Sequence, residues 1–181
     1  LVRPTYYAAT AALTLTSVFV TAPPKVFAAA TQVVTTTADS GPGSLRAAIA
    51  AVNADAAATI ASPAVIAFNI PAAGVQTINV LTALPQLTRP VVIDGLTQPG
   101  ATCGDSTTAR QLLISIRGQG NAVSMSGLML SAGGSTVQGL AVSYFRRGNV
   151  ISTGSTGGDL IRCTHLGTRA DGRTMDTIAS N

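Results

Sequence analysis

The chain has 181 residues, enough for one domain with its own core. It is 46% hydrophobic and only 10% charged, which excludes the disordered class of highly charged, apolar-poor chains. The formal charge of +4 includes Arg3 and Lys25. Beyond residue 30, nine arginines face seven aspartates (9 − 7 = +2), and the one basic pair, Arg146-Arg147, reads as a solvated turn, so no nucleic acid is expected as partner.

The N-terminus has the three parts of a secretion signal. Arg3 is the positive start, residues 8–20 form an apolar and Thr/Ser stretch, and Ala28-Ala29-Ala30 supplies small residues for cleavage after Ala30. The stretch is short for a bilayer span, and Pro23-Pro24 separates it from the alanines. The competing reading is an apolar first strand or helix of the fold. Residues 1–30 are therefore read as a signal peptide and 31–181 as the mature domain. No later segment is apolar enough to span a membrane. Export places the chain in an oxidising compartment, where Cys103 and Cys163 either pair or remain two free thiols; the spacing favours neither.

Residues 31–37 are polar and β-branched and predict the first strand. Residues 39–43 form a loop. Ser44 is a good N-cap, and Leu45, Ala48, Ile49 and Val52 recur at helical spacing, so residues 44–53 predict a short amphipathic helix. Short runs follow at 65–70, 77–81, 91–93, 112–116, 127–130, 137–145, 150–151 and 160–163, separated by Gly, Pro, Ser, Asn and Asp. Their spacing permits a sandwich, a barrel or a β-solenoid. Ile70, Ile93, Ile116, Leu140 and Ile161 lie 23, 23, 24 and 21 residues apart, a step that favours a solenoid with these side chains in one interior column. In that register Asp94 and Arg117 are neighbours on adjacent coils.

A second line of reading starts from residue order. Ser40-Gly-Pro-Gly-Ser-Leu-Arg-Ala-Ala-Ile49 is followed by Ile66-Ala-Phe-Asn-Ile70, Thr77-Ile-Asn-Val80, Leu84-Pro85 and Val92-Ile-Asp-Gly-Leu-Thr-Gln-Pro-Gly100. This order resembles bacterial surface proteins with a CSLREA-type N-terminal region and a right-handed parallel β-helix. Gly139-Leu-Ala-Val142 and residues 160–172 resemble the repeats that follow. Gly43 stands where the name-giving cysteine usually is, and Thr164 where such repeats commonly carry Asn. The resemblance implies an exported, often very long surface protein and supplies no catalytic residues. The expected fold is all-β: a right-handed parallel β-helix (solenoid) with a short N-terminal capping α-helix.

Catalytic chemistry has little footing. Glycoside hydrolysis needs two carboxyl groups facing one bond, and a lyase of the pectate type needs clustered acids around a cation. Asp39, Asp55, Asp94, Asp105, Asp159, Asp171 and Asp176 form no Asp-Asp or Asp-x-Asp pair. Asp94 is the best single candidate because it ends a strand, yet it suits a turn. Asp171-Gly172 with Asp176 lacks the alternating oxygens of a calcium loop, and His165, the one histidine, has no Ser/Asp constellation near it. No catalytic, cofactor or metal residue is assigned. The expectation is a secreted or cell-surface structural or adhesive module, with surface glycans or other surface proteins as partners. Two alternatives stand beside it: the N-terminal part of a carbohydrate-active enzyme, and a truncated fragment. Residues 160–168 read as a further coil and residues 178–181 as the opening of another, so the natural chain is expected to continue, or a partner to cover this end.

Overall fold

The computed structural model describes residues 29–176, and the proposed leader, apart from Ala29 and Ala30, lies outside them, as do residues 178–181. The strands are β1 (Thr31–Val34), β2 (Ala64–Phe68), β3 (Gln76–Asn79), β4 (Val91–Asp94), β5 (Ile114–Gly120) and β6 (Ser126–Leu130). They continue as β7 (Thr136–Gln138), β8 (Leu140–Phe145), β9 (Gly148–Ser152), β10 (Leu160–Arg162) and β11 (His165–Leu166). One α-helix, α1 (Leu45–Ala54), follows β1, and a 3-10 turn (Gly95–Thr97) follows β4.

Helix α1 forms where the pattern predicts it. The Ser44 hydroxyl accepts from Ala47 N at 3.2 Å, meeting one of the orphan donors of the first turn. Leu45, Ala48, Ile49 and Val52 are its buried stripe and pack against β1 and β2. Asp55, at its C-cap, reaches back to accept from Ala30 N at 2.7 Å. The first strand is shorter than expected because Thr35 N leaves the ladder and donates to Gly43 O.

The expected β-helix is corrected here. The strands divide among three separate sheets, none curled or solenoid-like: five strands in the order β1-β2-β4-β7-β10, four in the order β11-β8-β5-β3, and the pair β6-β9. All pairs of named strands are parallel. The proposed column of five aliphatic residues does not exist as one line. Ile93 lies between Ile66 and Val137 in the five-stranded sheet, whereas Ile116 lies between Ile78 and Val142 in the four-stranded one. Leu140 pairs with Ile114, and Ile161, paired with Val137, is exposed. Aliphatic runs of similar length declare that they are strands without declaring which sheet takes them. Equal spacing therefore joined residues of different sheets.

Asp94 and Arg117 are separated for the same reason. Asp94 sits beside Ala67 and Gln138, and Arg117 beside Asn79 and Ser143. The run at 137–145 is likewise two strands in two sheets. Gly139 divides it at φ +70°, and a Cβ there would stand 2.6 Å from Leu96 N. Only glycine meets both demands, a left-handed backbone and an approach to another backbone this close.

On β2, β3 and β4 alternate residues turn inward, as the two-residue period of a strand requires. Ala64, Ile66 and Phe68 on β2, Val91 and Ile93 on β4, and Ile114 and Ile116 on β5 join the α1 stripe in one core. Each Val, Leu, Ile or Phe among them contributes about 1.5–3 kcal/mol by leaving water. The neighbouring outward positions are free to carry polar groups, and on β3 and β5 of the four-stranded sheet Thr77, Asn79, Ser115 and Arg117 do.

Candidate ligand groove

Inward Ile78, Ile116 and Val142 leave their flanking residues on the outer face of the four-stranded sheet. Two cross-strand rows result: Thr77, Ser115 and Ala141, and Asn79, Arg117 and Ser143. After β11 the chain turns back over this face. Gly167 N donates to Val142 O at 2.9 Å, and Thr168 and Met175 form an antiparallel bridge that closes a small loop. Asp171 holds the loop tip by accepting from Arg173 N and Thr174 N, both at 2.9 Å, and from the Thr174 hydroxyl.

Asp176 anchors the loop to the sheet. Its Oδ1 accepts from Arg169 Nε at 2.9 Å and Arg117 Nη2 at 3.3 Å, and its Oδ2 from Arg117 Nε at 3.2 Å and the Ser143 hydroxyl at 2.7 Å. The carboxylate is 2% exposed, while the arginines are 31% and 54% exposed, so its charge is enclosed and theirs reach solvent. Burial pushes the Asp176 carboxyl up, but the hydrogen bonds from Arg117, Ser143 and Arg169 outweigh it and hold the group below the usual carboxylate range. The hydroxyl of Thr174 and the two backbone donors of the turn bring Asp171 down to about 2. The Arg117 guanidinium also stacks on Tyr144, 4.3 Å from the ring centroid. Tyr144 takes φ +63°, an uncommon conformation for a residue with a side chain.

Between loop and sheet lies an open groove of about 440 Å³. Thr77, Asn79, Ser115 and Arg117 form its floor, Arg169 and Asp171 its far wall. It offers hydroxyls, an amide and guanidinium edges: hydrogen-bonding groups for a polar ligand.

The candidates from sequence fall elsewhere or take other roles. Asp94 accepts from Leu96 N at 2.9 Å and caps the 3-10 turn, on the five-stranded sheet. His165 supports the roofing loop: its Nδ1 lies 3.3 Å from Arg169 O, and Gly172 packs so closely that a Cβ there would be 2.6 Å from the ring. Asp171 and Asp176 share the loop but serve the turn and the arginines. Among the described residues no group of three or more His, Cys or Asp is arranged to hold a metal. Arg146 and Arg147 are exposed, with Arg147 Nε donating to the Ser124 hydroxyl at 3.2 Å. Cys103 and Cys163 form a disulfide, Cα atoms 5.6 Å apart. It borders a smaller cavity of about 270 Å³ with Leu96, Gln138 and Arg162.

Sequence reasoning missed Arg117, Ser143 and Arg169 as one cluster. Arg117 and Asp176 are 59 residues apart, and no motif joins them. The one available signal was the outward position of Arg117 beside inward Ile116. Compared with family models, curated proteins and solved structures, the chain finds no match.

Proposed function

We propose that the chain is a secreted or cell-surface module with a structural or adhesive role, of the kind borne by the bacterial surface proteins that residues 41–100 resemble. The observation that carries the reading is the use made of the carboxylates. Asp39 accepts from Arg46 and Leu81 N, Asp55 from Ala30 N and Ala57 N, and Asp94 from Leu96 N. Asp105 accepts from the amides of Thr107 and Thr108, and Asp159 from Ser135 N. With Asp171 and Asp176 already engaged, all seven aspartates serve turns, caps, ion pairs or, for Asp159, a tie between separate segments. Carboxylates employed this way build a scaffold.

The disulfide supports export, since such bonds persist in oxidising compartments. Among the described residues no helix is long and apolar enough to cross a membrane. The groove supports a glycan or protein contact on the outer sheet face. At β10 and β11 the exposed Leu160, Ile161 and Leu166 suit pairing with further strands or a covering partner.

The test is expression of the full chain in a bacterial host with fractionation, alkylation of free thiols, and binding of the purified protein to intact cells. Expected are exported protein with no alkylated cysteine, binding to the cell surface, and no release of sugar from added polysaccharide. Retention in the cytosol with two reactive thiols, absence of cell binding, or polysaccharide turnover each sinks the proposal.

A further inference from the structure

Between Thr102 and Gln111 the chain leaves the sheets. The two residues form an antiparallel bridge, Thr102 N donating to Gln111 O and Gln111 N to Thr102 O, both at 2.9 Å, and residues 103–110 make a surface loop between them. Inside it Asp105 accepts from Thr107 N and Thr108 N, Asp105 N donates to Thr108 O, and Arg110 Nε donates to Cys103 O. These bonds all stay within the loop, which the Cys103–Cys163 disulfide ties to a distant segment. Residues 105–111 are all exposed, the longest such run among the described residues. A small, polar loop that is hydrogen-bonded to itself can open locally while the sheets stay closed, and such loops are where folded chains are nicked.

The loop carries one basic residue, Arg110. The other described arginines are held in structure that would have to unfold. Arg46 lies in α1, Arg117 in β5 and Arg162 in β10. Arg89 is followed by Pro90, which lacks the N–H of an ordinary peptide bond. Arg147 N donates to Met125 O in the short turn between β8 and β9, and Asp171 and Asp176 fasten the loop of Arg169 and Arg173. We propose that the Arg110–Gln111 bond is a processing site for an arginine-specific serine endopeptidase, and that the product is two chains joined by the Cys103–Cys163 disulfide. The protease serine attacks the Arg110 carbonyl carbon, the C–N bond breaks, and the proton passes to the Gln111 amine. Water then splits the acyl-enzyme, leaving a carboxylate on Arg110 and an ammonium on Gln111. The cysteines lie on opposite sides of the cut, and the pairs β3–β5 and β4–β7 also span it, so the fold survives.

The inference goes beyond the adhesive reading and does not depend on it. The full chain, oxidised, is treated with a limiting amount of trypsin and followed by intact mass spectrometry and by denaturing gels with and without reductant. Cuts at Arg3 or Lys25 fall in the proposed leader and are not scored. The first cut beyond Ala30 is expected after Arg110, adding one water to the unreduced mass and giving two fragments only on reduction. The nicked molecule is expected to keep the circular dichroism spectrum of the parent. Arg110→Gln should slow this cut at least about a hundredfold, because a pocket built to pair a guanidinium rejects an uncharged amide. Arg173→Gln should leave its rate unchanged. A first cut at another arginine, an Arg110→Gln chain nicked at the parent rate, fragments that separate without reductant, or loss of the folded spectrum on nicking each overturns the proposal. None of these readouts involves location or cell binding, so failure here and failure of the adhesive reading are told apart.

Discussion

Replacing both Cys103 and Cys163 by serine removes the one covalent tie between the excursion at residues 99–111 and the last strands. The cysteines are 60 residues apart. In the chain-entropy model a loop of that length restricts the unfolded state by about 14 cal/mol/K, or about 4 kcal/mol at 25 °C. Serine at these sites adds little penalty of its own, since Cys103 is exposed and Cys163 half-buried. A loss of that size is a large part of the 5–15 kcal/mol typical of a domain. With a urea dependence of about 2 kcal/mol/M, the unfolding midpoint should fall by about 2 M. The assay is urea unfolding of the oxidised chain and of the double variant, followed by circular dichroism. The first amides to lose protection should be those of β10 and β11, which are short and largely exposed. A midpoint shift below about 0.5 M, with the disulfide shown intact in the parent, would refute the reasoning.

Gly139→Ala is expected to cost roughly 3 kcal/mol or more, from the left-handed backbone and the clash with Leu96 together. Gly74→Ala, at φ +77° but with open space around it, is the control and should cost only about 1–2 kcal/mol; equal losses in urea unfolding would contradict the clash. The folded Asp176 carboxyl titrates below its ordinary value of 3.8, so its contribution is complete above that value and is lost as pH falls through the folded one. Proton exchange should therefore show the loop at 167–176 loosening on acidification below about pH 4, with a His165→Gln chain separating any effect of the histidine beneath it. Loosening that sets in on raising the pH instead would reverse the assigned sign.

Local features of this fold were legible in the sequence because their causes are local. Ser44 and a stripe at 45, 48, 49 and 52 specify a capped amphipathic helix whatever surrounds it, and the helix is there within a residue. Short aliphatic runs between glycines likewise specified strands. Partner choice was not legible, because it depends on which runs meet across the core. Ile93 and Ile116 look alike in sequence and lie in different sheets. The site was illegible for a related reason. Arg117 faces outward because Ile116 and Ile78 face inward, Ser143 reaches the same row through the β5–β8 register, and Asp176 arrives only after the chain has folded back past β11. None of these residues has an unusual neighbour in sequence. A carboxylate that scans as a spare turn residue becomes an enclosed charge between two arginines once three separate segments meet. Its chemistry therefore belongs to the register of the sheet, and a register error of one residue would place Ile116 outside and bury Arg117. The same dependence ties the Asp176 cluster to the β3–β5–β8 pairing: a substitution that weakens this pairing should speed proton exchange in the loop at 167–176 without touching a residue of the cluster.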